Sequence, residues 1–219
     1  MRKTRVIAIA SGKGGVGKTM VSANLAVSLA ARRKQVMLFD ADLGLANAQL
    51  ALGQRSPFNF SHVLSGNKSL KEIIIEINDY LRLVPGASGM QEMASLDNNT
   101  LANVVASFSE LSNDLDYFII DVAAGISDSV MTFLTACQER YIVVNNDPSS
   151  IADSYGIIKV MIQNHNLGQI YMIPNKVVTQ EEGQLLYNRI NSVAIRHLGA
   201  KVGFLHSIVK DEQVEQALR

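Results

Sequence analysis

Eight consecutive residues, Gly12-Lys13-Gly14-Gly15-Val16-Gly17-Lys18-Thr19, fit the spacing GxxxxGK[ST] and have the chemistry to hold a chain of phosphates. Glycines let successive backbone N–H groups turn inward around an anion, and a helix starting there aims its positive end at the same point. Lys18 can reach β- and γ-phosphates, and Thr19 can offer its hydroxyl to Mg²⁺. Two acid clusters complement this loop. Phe118-Ile119-Ile120-Asp121 reads as an apolar strand ending in a carboxylate, placed as a Walker-B aspartate is to hold the water shell of Mg²⁺. Asp40-Ala41-Asp42 ends another apolar run, Val36 to Phe39, and alternation along an extended chain points both acids the same way, toward one metal-and-water site. Asp42 lies further out and is the better placed of the two to orient an attacking water, although a solvated turn acid fits the same spacing. Asn175 follows the run Ile170 to Ile173 and carries both a donor and an acceptor to match an adenine edge. An Asx-turn residue after Pro174 fits that position equally well.

These groups need elements to hold them. The run Val6 to Ala10 is an apolar strand entering the phosphate loop, and a helical period follows it. Further along, short apolar runs alternate with longer segments of helical period, the pattern of βαβ units. Strands are expected at 5–10, 36–39, 81–84, 117–120, 140–144, 169–173 and 201–205. Helices are expected at 18–32, 61–75, 98–113, 127–137, 150–164 and 180–197, with a last one beginning near Asp211. The fold class expected is α/β: a doubly wound, mostly parallel sheet with helices on both faces, in one P-loop domain over 1–219. The poorly periodic stretch from Asp42 to Phe60 lies beyond a strand's carboxyl end, the natural place for a switch.

Composition narrows the partners. The 219 residues carry 20 basic and 20 acidic side chains, which argues against a broadly basic nucleic-acid binder. One cysteine, Cys137, and four histidines offer no disulfide and no zinc or iron–sulfur spacing, so a reducing, cytoplasmic setting is expected. The basic start is followed by too short an apolar run for a signal peptide, and no stretch is long enough to span a membrane.

The extra lysine at position 13, with Lys18, Asp40-Ala41-Asp42 and the Asp121 strand, makes the chain resemble the deviant Walker-A ATPases of the MinD/ParA group. The resemblance implies an ATP-sandwiched homodimer in which Lys13 crosses to the partner's nucleotide. It also implies Lys18 and Thr19 in phosphate and Mg²⁺ binding, Asp42 in water activation, and Asp40 and Asp121 around the metal. A lysine supplied by the partner would couple dimerisation to hydrolysis, as a finger residue does in trans. Asp40 to Asn47, Leu83 to Met93 and Asp121 to Ser129 are similar, more narrowly, to the MinD-type regulators of flagellar number, the FlhG (FleN) family. Pro85-Gly86-Ala87-Ser88-Gly89 discriminates best among these stretches. The family places an asparagine near Asn175, and its partners would be flagellar assembly proteins: a partner GTPase, switch-complex components or a transcriptional activator.

The chain departs from the family pattern in places. Met20 stands where relatives carry a polar residue that touches the α-phosphate, and Asn145-Asn146-Asp147-Pro148 replaces a Thr-Pro-Glu-Pro-like run. Relatives often have an N-terminal extension and a C-terminal amphipathic helix; here both read as lost or shortened. The short apolar face of Val214, Ala217 and Leu218 predicts weak or absent lipid binding, with a longer form expected at the cell pole or inner membrane face. A slow, partner-stimulated ATPase switch is expected, against two alternatives: a ParA-like partition or cargo-positioning ATPase, and a nucleotide-binding pseudo-enzyme. An electron-transferring relative of the nitrogenase-reductase kind is excluded, because a single cysteine per chain cannot supply the two thiolates each subunit needs.

Overall fold

The computed structural model describes residues 4–42, 47–87, 108 and 114–217. Their contacts divide into two compact units, the first built from the chain up to Ala10 and from Lys18 to Arg140, the second from Ser11–Gly17 and the chain from Tyr141 on.

The first unit is a mostly parallel sheet. Its strands are β1 (Arg5–Ala10), β2 (Val36–Ala41), β3 (Ile75–Asn78), β4 (Leu81–Val84) and β5 (Tyr117–Val122), in the spatial order β3-β4-β2-β5-β1. β5 lies between β1 and β2 and is parallel to both, while β3 closes the edge as an antiparallel hairpin with β4. Parallel strands covered on both faces need continuous apolar runs, and β2 is buried at every position. Alternation then sorts the side chains. Asp40 is paired in register with Asp121, so both acids emerge on one face, where α1 (Lys18–Ala31) sends Ser22 to Asp121. Phe39 and Phe118 emerge on the other, where Phe39 packs against Phe60 of α3 (Phe60–Leu64) at 5.0 Å between ring centroids and Phe108 at 4.7 Å. Phe133 of α5 (Asp128–Ala136) closes the same cluster at 5.8 Å. Helices therefore cover both faces of this unit, with small residues Ala23, Ala26 and Ala30 letting α1 lie close.

The second unit holds most of β6 (Glu139–Val144), then α6 (Pro148–His165), β7 (Ile170–Val177), α7 (Gln180–Leu198), β8 (Gly203–Phe204), β9 (Ile208–Val209) and α8 (Glu212–Ala217). β7 pairs in parallel with both β8 and β9. Asp147 caps α6 with Pro148 at its first turn, Thr179 caps α7, and both helices end on a left-handed residue, Asn166 and Gly199.

Several expectations are corrected. The helix expected over 61–75 is two short ones, α3 and α4 (Leu70–Ile73), because Gly66 at φ 73° ends the first and Ser69 with Glu72 forms a capping box for the second. The residues after α4 turn outward and inward alternately as β3, a strand not foreseen. The strand expected over 201–205 shrinks to Gly203–Phe204, since the Val202 N–H goes to the Asn191 side chain at 3.0 Å rather than to a ladder. β9 was not foreseen, and β7 runs four residues beyond the expected 173. The poorly periodic stretch contains a single turn of helix, α2 (Ala48–Ala51). The helix expected at 98–113 lies, but for Phe108, outside the described residues, as do Leu43–Ala46 and the family stretch from Ser88 to Met93.

Candidate functional site

The glycine-rich stretch Gly12–Gly17 belongs to the second unit. Gly15 and Gly17 have φ of 80° and 94°, a region closed to most side chains, and their turns reverse the chain around the loop. Gly12 serves a different need. A Cβ there would lie 2.2 Å from the backbone carbon of Asp153 and 2.6 Å from Ser154 N, so its hydrogen is what lets the loop rest on α6. The loop is also gripped from outside. Asn175 Nδ2 donates to Val16 O at 2.7 Å, and Lys176 Nζ donates to Gly15 O at 3.2 Å. Asn145, with its amide nitrogen turned to face two carbonyls, adds donors to Val16 O and Asn175 O, each at 3.1 Å. Asn175 lies buried inside β7, paired in register with Ile208, so it is not an Asx-turn residue. Its amide nitrogen donates to the loop.

Lys13, in this single chain, is docked on its own α6. Its Nζ donates to Ser149 Oγ at 2.6 Å and lies 3.6 Å from Asp147 Oδ1. The same carboxylate accepts from Ser149 Oγ at 2.7 Å and from Ser150 N at 2.9 Å. These hydrogen bonds, and then the Lys13 charge, hold the Asp147 carboxyl below its usual range. The run Asn145-Asn146-Asp147-Pro148, foreseen only as a departure from the family pattern, thus provides a loop contact, a helix cap and the cradle for Lys13.

Lys18, Asp40 and Asp121 belong to the first unit. Lys18 Nζ donates to Asp121 Oδ1 at 2.6 Å, with both side chains buried. Ser22, one helical turn after Lys18, places its Oγ 2.9 Å from the same oxygen and 3.0 Å from Lys18 O. Asp121 Oδ2 is buried and has no hydrogen-bond partner. Asp40 accepts from Ala48 N at 2.8 Å through one oxygen and from Asp42 N at 3.2 Å through the other, tying the end of β2 to α2. Burial raises the Asp40 pKa to about 7, with the Asp121 charge adding to the effect and the two N–H groups and Lys18 opposing it. Thr19 and Met20 lie half-buried in the first turn of α1.

This donor set suits Mg²⁺ held by phosphates and water. Among the described residues no group of three His, Cys, Asp or Glu side chains could hold a metal ion alone. An orphaned carboxylate oxygen beside a buried lysine needs a donor, and a metal-bound water is one. Three contributors escaped sequence reasoning: Ser22, whose i+4 spacing from Lys18 was a usable signal, and Lys176 and Ser149, which only the packing of β7 and α6 on the loop reveals.

Residues 7–219 match the CobQ/CobB/MinD/ParA nucleotide binding domain family. Among curated proteins, the antiactivator FleN of Pseudomonas aeruginosa is 38% identical over 219 residues, covering 100% of the chain and 78% of the relative. The flagellum site-determining protein YlxH of Helicobacter pylori is 36% identical over 217 residues, covering 99% and 73%. Among solved structures, the septum site-determining protein MinD of Pyrococcus horikoshii in complex with Mg-ADP superposes with a TM-score of 0.77 at 26% identity, covering 97% of the chain and 84% of that protein. The mostly parallel sheet with flanking helices is the fold of these P-loop proteins.

Proposed function

The chain belongs to the CobQ/CobB/MinD/ParA nucleotide-binding family, within its FlhG (FleN) group, and from that premise we propose that it is an ATP-dependent dimerising switch that regulates flagellar number or placement. The buried pair of Lys18 with Asp121, whose second oxygen lacks a partner, carries this reading: it is a phosphate-seeking cation held in reserve beside an acceptor for a metal-bound water.

Bound Mg²⁺-ATP would supply the anhydride to be cleaved and the cation that offsets its charge. The backbone N–H groups of Gly12 to Thr19 hold the phosphates, and Lys18 leaves Asp121 for the phosphate oxygens. Asp121 would accept hydrogen bonds from the water shell of a bound Mg²⁺, and Thr19 would help hold that ion through its hydroxyl. Asp42 orients the attacking water, and Asp40 holds the backbone leading into it through the Asp42 and Ala48 N–H groups. Lys13 quits Ser149 and reaches the nucleotide of a second copy. Asn175 offers its amide oxygen to the amino group of adenine. The names antiactivator and flagellum site-determining protein, borne by two relatives, support a readout through flagellar partner proteins.

Light scattering with Mg²⁺-ADP and Mg²⁺-ATP tests the switch, using Asp42→Ala to slow hydrolysis and Lys13→Ala as control. A dimer formed only with ATP and lost in the Lys13 variant is expected. A monomer throughout, with nucleotide binding confirmed by calorimetry, would leave a binding module in place of a switch.

A further inference from the structure

Resting on the reading of Gly12–Thr19 as a phosphate loop, we propose that Lys176 is a positioning residue that holds the loop in its anion-binding shape and raises its affinity for the phosphate chain itself. Lys176 is not part of the loop motif, and it reaches the loop from the end of β7.

Three observations converge on it. Its backbone sits at φ 55°, a left-handed conformation disfavoured for a residue with a Cβ, and the β7–β9 register shifts at this position. Strain of this kind persists where the surrounding structure holds it and concentrates at functional positions. Its ammonium donates to Gly15 O at 3.2 Å, while a Cβ built on Gly17 would meet its Cε at 3.5 Å, so the alkyl stem lies along the loop. Its neighbour Asn175 donates to Val16 O, the next carbonyl along. The two residues therefore grip consecutive peptide units from the carbonyl side. In each unit a donor on the oxygen polarises the amide and makes its N–H, on Val16 and Gly17 respectively, a stronger donor. Fixing the carbonyls outward also fixes those N–H groups inward, so the cradle forms before the anion arrives. The Lys176 charge adds positive potential at the loop's outer wall.

The ligand recognised through this device is the polyphosphate, not the base, which makes the inference separable from adenine recognition. Calorimetric titration with Mg²⁺-ATP and, separately, Mg²⁺-tripolyphosphate would compare wild type with Lys176→Ala, Lys176→Gly and Lys176→Arg. Both the Ala and Gly variants are expected to weaken ATP and tripolyphosphate by the same factor, about five- to twentyfold, and the Arg variant to recover most of it. Lys176→Gly should melt no lower than wild type, since glycine relieves the positive φ. Weakened ATP with unchanged tripolyphosphate would overturn the proposal in favour of a base contact. A lower melting temperature of Lys176→Gly with no rescue by arginine would reduce Lys176 to a structural role and overturn it too. Failure of the wild type to bind either ligand would sink the nucleotide reading, and this inference with it.

Discussion

Asp40 shows how one buried carboxylate links the site to the fold. Its pKa near 7 means that the folded protein keeps a proton which the unfolded chain, titrating near 3.8, has already released. The sign follows from linkage: the stability this group contributes is complete below about pH 4 and is lost as pH rises through 7. A shift of this size corresponds to about 4 kcal/mol between those limits, as an order of magnitude. Asp40→Asn removes the titration but still offers one acceptor to Ala48 N or Asp42 N, so its stability profile should be flatter than wild type between pH 4 and 7. Chemical denaturation at closely spaced pH values measures this, and parallel profiles would show that Asp40 is ionised in the folded protein across the range. The same residue bears on the chemistry. A proton on Asp40 lessens the negative charge facing Asp121, while the Asp42 N–H stays bound to an Asp40 oxygen at the start of the segment proposed to position water.

At the scale of elements, the loop works because β7 and α6 hold it. Gly12→Ala would drive a methyl group into the α6 backbone at Asp153 and Ser154, where no flexible side-chain end can yield. A loss of about 1–3 kcal/mol in folding stability is expected, together with weaker nucleotide binding. Thermal melting and ATP titration of the variant check this, and a wild-type melting point would mean that loop and helix separate easily. How much of this arrangement can be read from sequence depends on the range of the interaction. The glycine spacing from Gly12 to Thr19 and the apolar runs leading to Asp121 and Asp40 are local patterns, and both runs form strands, each continuing one residue past its acid to Val122 and Ala41. The grip of Asn175 and Lys176 on Val16 and Gly15 joins residues about 160 positions apart, so spacing could propose Asn175 for a base but could not reveal that its nitrogen is committed to the loop. The split of 61–75 was hidden for another reason. Val63, Leu70 and Ile74 are apolar at intervals of seven and four that a single helix could use, and the left-handed Gly66 and the Ser69 cap divide them. The short β9 leaves both its residues exposed, so it has no buried alternation to read.

For the whole molecule, balanced charge gives little long-range attraction between two copies, so the proposed dimer would depend on contacts at the nucleotide face. Lys13 is the element with two possible positions. In the single chain it is held by Ser149 Oγ and the Asp147 carboxylate; in the proposed dimer it serves the partner's nucleotide. The two positions compete, so whatever holds Lys13 at home opposes closure by that amount. Ser149→Ala removes the shorter contact and leaves the Asp147 cap on Ser150 N in place, so α6 should stay intact. The variant should dimerise with Mg²⁺-ATP at lower protein concentration, by about two- to fivefold for each of the two lysines released, and should remain monomeric with Mg²⁺-ADP. Sedimentation equilibrium across a concentration series reads both arms. An unchanged dimer dissociation constant would show that the Ser149 contact does not compete with closure, whereas dimerisation in ADP as well would show that this contact, and not the γ-phosphate, keeps the switch open.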